Sequence, residues 1–265
     1  MAEKRSDRSF SLHGTALVTG ASSGLGRHYA EFLARAGMDL ILVARRGEEL
    51  QELAAEVLQR HGRTATVLPT DLTDRAARQA LPTAIADQGL TVDVLINNAG
   101  FGTQGNFADM DPDRIIREIE LNCVALTDLA RQFLPPMLAR GYGAIVNVAS
   151  TAGFQPWPTM SVYGASKAYV RSFSQALWSE TRDTGVRVLS VCPGPTDTEW
   201  MANTGSPGML PNRRSTEQVV QSTFRALNRD AMEVVDGPMN RITSIAASVV
   251  PTRVVLPIAR LWAKG

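Results

Sequence analysis

Short, almost wholly apolar runs alternate with amphipathic stretches along the chain. Residues 15–19 read as a buried strand, 25–36 as a helix that Gly37 closes, and 40–43 as the next strand. A charged helix over 48–59 follows, with Gly62 placed to cap it. Strand-like runs over 64–68 and 92–96 continue the series, with a helix near 75–85 between them. A long helix is predicted over 113–139, then a strand over 144–148, a helix over 162–184 and a strand over 186–191. A helix near 216–227 and a short strand at 232–235 complete the order. Pro135 and Pro136 fall inside the long helix, where each lacks a backbone donor, so a kink or an early end is expected there.

Strands that are apolar throughout, each followed by a helix, predict a parallel sheet covered on both faces, a doubly wound α/β arrangement. No repeat or low-complexity linker interrupts the order. The chain reads as one domain over 1–240, with 1–11 as an N-terminal arm and 241–265 as a tail.

Composition narrows the function. The 265 residues are 44% apolar and 20% charged, a globular balance that excludes disorder. Lys and Arg number 27 against 26 Asp and Glu, so no overall field draws the protein to nucleic acid. Cys123 and Cys192 cannot build a disulfide framework, and His13, His28 and His61 are scattered without a metal-binding spacing. Lys4, Arg5 and Arg8 precede a polar stretch rather than the apolar core of a secretory signal, and no run reaches the ~18 apolar residues of a bilayer span. The expectation is a cytoplasmic protein without a metal.

Three clusters carry chemistry. The first strand runs through Thr19 into Gly20, Ser22, Ser23, Gly24, Leu25 and Gly26 and then directly into a helix. Glycines there let the backbone approach a pyrophosphate, and the helix N-terminus offers free N–H groups and a partial positive charge. The second strand ends at Arg45 and Arg46, with no acid at its tip; guanidinium groups suit a 2′-phosphate, which favours NADP(H) over NAD(H). Ser150 follows the strand over 144–148, and Tyr163 and Lys167 lie four apart on the next helix, so they share a face. An ammonium close to a phenol is expected to lower the phenol's pKa toward neutrality.

Together with Asn97, Asn98, Ala99 and Gly100, these motifs closely resemble those of short-chain dehydrogenases/reductases over about residues 12–236. The resemblance implies a three-layer Rossmann-like fold with a seven-stranded, mainly parallel sheet and the dinucleotide across its carboxyl edge. It implies adenine contacts at Asp71 and Leu72, support of the sheet and adenosine ribose by Asn98, Ala99 and Gly100, and a nicotinamide end flanked by Pro193, Gly194, Thr196 and Thr198. Asn122 looks like the fourth member of a catalytic tetrad with Ser150, Tyr163 and Lys167. The implied roles are Tyr163 as general acid or base in reversible hydride transfer, Lys167 on the nicotinamide ribose, Ser150 polarising the substrate oxygen, and Asn122 holding a water toward Lys167. Family members are frequently homodimers or homotetramers.

Residues 193–215 are expected to cover the substrate, with Trp200, Met201, Met209 and Leu210 on a segment that Gly205 and Gly208 let move. Phe101, Phe154, Trp157 and Met160 fall in neighbouring loops and suggest an apolar pocket for a small hydrophobic ketone or secondary alcohol; core packing or subunit contact is the alternative. Residues 241–265 hold four cations and no acid among many apolar side chains, and Pro251 and Pro257 divide them into short pieces. Packing on the body or on a second subunit is favoured there over peripheral contact with a membrane. The reading reached is an NADP(H)-dependent oxidoreductase. Its rivals are an NAD-preferring dehydrogenase of the same fold and a non-catalytic, dinucleotide-sensing interaction protein.

Overall fold

A computed structural model describes residues 10–197 and 213–262. Its strands are β1 (Thr15–Thr19), β2 (Asp39–Ala44), β3 (Ala65–Pro69), β4 (Val94–Asn97), β5 (Gly143–Val148), β6 (Val186–Cys192) and β7 (Glu233–Val235). They form one sheet in the order β3-β2-β1-β4-β5-β6-β7, and every pairing is parallel. The order reverses beside β1, the switch point at which open α/β sheets leave a crevice beyond their carboxyl ends.

The helices are α1 (Gly24–Arg35), α2 (Gly47–His61), α3 (Arg75–Ala86), α4 (Pro112–Ile119), α5 (Leu126–Arg140), α6 (Ser161–Glu180), α7 (Thr216–Asn228), α8 (Pro238–Val249) and α9 (Thr252–Trp262). Alternation along the strands sends Ala16, Val18, Leu40 and Leu42 to one face, where they meet Tyr29 and Leu33 of α1, Leu50 and Leu53 of α2, and Phe224 of α7. Leu17, Ile41 and Val43 go to the other, against Leu81 of α3, Leu129 and Phe133 of α5, and Leu177 of α6. Both faces are dry, which is why the strands read as continuous apolar runs; each buried Leu, Ile or Val contributes about 1.5–3 kcal/mol.

The helix ends follow local chemistry. Gly62 and Gly141 close α2 and α5 at φ 61° and 64°, where a side chain would be strained. The Asp74 carboxylate accepts from the first amides of α3, and Ser215 with Gln218 forms a reciprocal cap on α7.

Several segments differ from the sequence pattern. The helix expected over 113–139 is α4 and α5 joined by a wide π turn, Glu120–Ala125. The early end expected at Pro135 and Pro136 does not occur: α5 runs on to Arg140, because Phe133 and Met137 stay anchored in the core while both prolines face solvent. Pro257 likewise sits inside α9, so only Pro251 divides the tail. α8 begins at Pro238 and crosses the expected boundary at 240. Among the described residues, no helix is long and apolar enough to cross a membrane.

Candidate active site

The glycine turn after β1 is compact. Gly20 and Gly24 adopt φ 65° and 53°, in the left-handed region. A Cβ on Gly20 would lie 2.9 Å from Asn98 Nδ2, and one on Gly26 would collide with the Gly20 carbonyl oxygen, so α1 is drawn tightly against the turn. Ser23 precedes α1 in extended conformation without capping it, and no acid occupies the first turn, which leaves the leading amides of α1 for an anion. Thr19 braces this floor: its Oγ1 donates to Ile96 O (3.1 Å) and accepts from the amides of Asn98 (2.9 Å) and Ala99 (3.0 Å). In sequence Thr19 stood only as the entry to the glycine turn, without this bracing role.

At the tip of β2, Arg46 reaches back over the turn and donates to Ser22 Oγ from Nε (3.3 Å) and Nη2 (3.2 Å), while pairing with Glu49 at 3.5 Å. Asp71 lies beyond β3. Partial burial raises its carboxyl, but donors from Thr73 and the charges of Arg45 and Arg117 outweigh that and hold it below the usual carboxylate range. Leu72 is buried, and its carbonyl accepts from Arg78 Nη1 at 2.6 Å.

Ser150 follows β5, where its Oγ accepts from the Ala152 amide (3.1 Å), and its side chain hydrogen-bonds Tyr163. Tyr163 and Lys167 share a face of α6, both buried. The acidified phenol expected from their spacing is absent. Lys167 Nζ donates to Val148 O at 2.8 Å and lies 5.8 Å from the Tyr163 ring centre. Burial instead pushes the Tyr163 hydroxyl up to about 12, against the pull of the Ser150 bond and reinforced by Glu118. Burial also draws Lys167 down to about 8, partly offset by Cys123, Cys192 and Glu118. Desolvation of both groups decides the outcome.

Asn122 sits on the π turn, where its Oδ1 accepts from Phe101 N (3.1 Å) and its Nδ2 donates to Phe101 O (2.8 Å) and Ser166 Oγ (3.0 Å). Gly100 closes over the same place: a Cβ there would stand 2.9 Å from Asn122 Oδ1 and 3.5 Å from Lys167 Nζ. Beyond β6, Pro193 O accepts from the Thr151 amide (2.9 Å), Thr196 Oγ1 donates to Gly194 O (2.9 Å), and Gly194 lies against Asn240 of α8. Trp157 and Met160 pack with Tyr163, and Phe101 lies under the Arg114 guanidinium. Phe154 is engaged by Arg171, 3.9 Å from its ring, and Arg171 is tied to Glu233 of β7. Thr198, Trp200, Met201, Met209 and Leu210, with Gly205 and Gly208, lie outside the described residues.

Two further charged groups bear on the site. Glu118, in the last turn of α4, is fully buried and neither carboxylate oxygen has a hydrogen bond. The hydroxyl and amide of Thr103 face it without closing one, and burial raises its carboxyl. Arg78, 2% exposed, holds Glu120 of the π turn (2.8 Å) and Asp128 of α5 (3.1 Å) besides Leu72 O. Neither residue belongs to a motif that the sequence singled out. Among the described residues, no group of three or more His, Cys, Asp or Glu is placed to hold a metal.

Comparison with known proteins gives this arrangement its context. The family model of short chain dehydrogenases matches residues 14–207. The very-long-chain 3-oxoacyl-CoA reductase of Bos taurus is 35% identical over 182 residues, 67% of this chain but only 58% of that protein. Sulfoacetaldehyde reductase 2 of Chromohalobacter salexigens is 41% identical over 186 residues, 69% of this chain and 73% of that one. The structure of a short-chain dehydrogenase from Sphingobium yanoikuyae in complex with NADPH shares the fold at a TM-score of 0.81 and 36% identity, covering 89% of this chain and 93% of that one. A nicotinamide dinucleotide suits the residues present here, since the uncapped, acid-free start of α1 offers amides to a diphosphate and the glycines leave it room. Fold, crevice and family match therefore converge, and the chain belongs to the short-chain dehydrogenases, a family of oxidoreductases.

Proposed function

We propose that this oxidoreductase uses NADP(H) to interconvert a hydrophobic ketone and its secondary alcohol. The observation that carries the reading is the Ser150–Tyr163 hydrogen bond, set beside buried Lys167 on the sheet edge that also bears the glycine turn. When bound, the nicotinamide supplies or accepts the hydride. Gly20, Ser22, Ser23, Gly24, Leu25 and Gly26 would hold the diphosphate, Asp71 and Leu72 the adenine, Asn98, Ala99 and Gly100 the ribose, and Pro193, Gly194 and Thr196 the nicotinamide end. Tyr163 stays protonated at neutral pH because burial holds its hydroxyl near about 12, so in reduction it donates to the carbonyl oxygen with Ser150 as a second donor. Lys167, at about 8, is suited to restoring that proton.

Arg46 poised over Ser22 supports recognition of a 2′-phosphate, as does the NADPH held by the Sphingobium relative. Trp157 and Met160 beside Tyr163 support an apolar substrate. Exposed Ile116, Ile119 and Val124 along the α4–π-turn rod support pairing of two copies.

The test is a panel of hydrophobic ketones, secondary alcohols and an anionic aldehyde, with NADPH or NADH followed by absorbance. Turnover of NADPH with hydrophobic ketones is expected. Turnover of the anionic aldehyde alone overturns the substrate class, and NADPH binding without any turnover overturns the enzymatic reading. Arg46→Glu should weaken NADPH binding far more than NADH binding; equal weakening would speak for the NAD-preferring alternative.

A further inference from the structure

Along α8, Met239, Ile242, Ile245 and Val249 recur at steps of three and four residues and so form one stripe. Such a stripe ordinarily faces a core. Here Ile242 is 62% exposed and Val249 75%, and Val254 and Leu256 of α9 are exposed as well. Ser244 is the one buried side chain of α8, so the packing against the body favoured from sequence is not what covers this face. An exposed apolar stripe of this kind marks an interaction site.

Charge selects the partner. Arg241, Arg253 and Arg260 are exposed among these residues, and no Asp or Glu occurs after Asp236. Two copies of the segment laid face to face would set these arginines against their own images with no acid in the segment to answer them. A bilayer carrying anionic lipid supplies that countercharge and also takes up the apolar side chains.

We propose that the exposed face of α8 and α9 docks on an anionic membrane surface, its apolar stripe entering the headgroup boundary and its arginines meeting lipid phosphates. Neither helix is long and apolar enough to cross the bilayer, so the attachment is peripheral. The first turn of α8 lies against Gly194, and α8 also meets the turn after Ser150. Docking therefore brings the carboxyl edge of the sheet close to the lipid, where an apolar substrate would be dissolved. The surface argument itself does not depend on the catalytic reading.

Flotation of the full-length protein with phosphatidylcholine vesicles, with and without phosphatidylglycerol, tests the proposal. The protein should float with the anionic vesicles only, and added salt should release it. Replacing Arg253 or Arg260 by Gln should weaken binding about fivefold each, the share expected for one surface cation. Ile242→Glu with Val249→Glu should abolish flotation while leaving the melting temperature and sedimentation unchanged. Wild-type protein that stays behind with anionic vesicles overturns the proposal, as does flotation that all these variants retain. Conversion of a wild-type dimer to monomers by the double substitution assigns the stripe to a second copy instead.

Discussion

Replacing Lys167 by methionine should make the protein more stable at neutral pH while removing its activity. Lys167 is 5% exposed, and burial moves its ammonium from 10.5 to about 8. At about 1.4 kcal/mol per pH unit, keeping it charged at pH 7 costs the fold about 3 kcal/mol. Methionine keeps the unbranched stem but loses the charged donor to Val148 O, worth about 2 kcal/mol at pH 7. The variant should therefore gain about 1 kcal/mol at pH 7. The folded pKa lies below the unfolded one, so the penalty is complete below about pH 8 and fades as pH rises from there toward 10.5. By pH 10 only about 1 kcal/mol of it remains, and the advantage vanishes. Urea unfolding of both proteins at pH 7 and pH 10, compared at equal slope, reads this directly. A variant less stable than the wild type at pH 7, or a difference that ignores pH, would refute the argument that desolvation dominates at this side chain.

Arg78→Met should destabilise the fold by about 2–3 kcal/mol, less than for a wholly buried pair because Glu120 and Asp128 keep some water contact. It should also loosen the π turn that carries Asn122, seen as faster hydrogen exchange there; an unchanged melting temperature would count against the clamp. Gly26→Ala should cripple dinucleotide binding, measured by calorimetry, because its Cβ collides with the Gly20 carbonyl; wild-type affinity would show that the turn adapts.

The fold was legible because both faces of the sheet are covered. Runs such as Leu40, Ile41, Leu42 and Val43 have no polar face to show, and glycines such as Gly62 mark the helix ends. The glycine turn was legible for a related reason, since close packing and left-handed backbone confine positions 20, 24 and 26 to one residue type. Environment was harder to read than placement. Spacing put Tyr163 and Lys167 on one face, but the direction of their pKa values is set by burial, which pattern does not encode. Glu118 and Arg78 look like surface charges until the neighbouring elements close over them. The π turn leaves no mark, because its residues suit an α-helix equally well. The tail's apolar periodicity matches that of a packed helix, and only the folded chain shows that the stripe stands exposed on its own subunit.

The central claim is that the Tyr163 hydroxyl is the proton donor beside a bound dinucleotide. Tyr163→Phe keeps the ring packed on Trp157 and Met160 and removes only that oxygen. NADPH affinity by calorimetry and single-turnover reduction of a substrate taken from the panel should be measured together on this variant. Unchanged affinity with reduction slowed about 10²–10⁴-fold is the predicted result; wild-type turnover, or loss of NADPH binding in a protein that still folds, would contradict it.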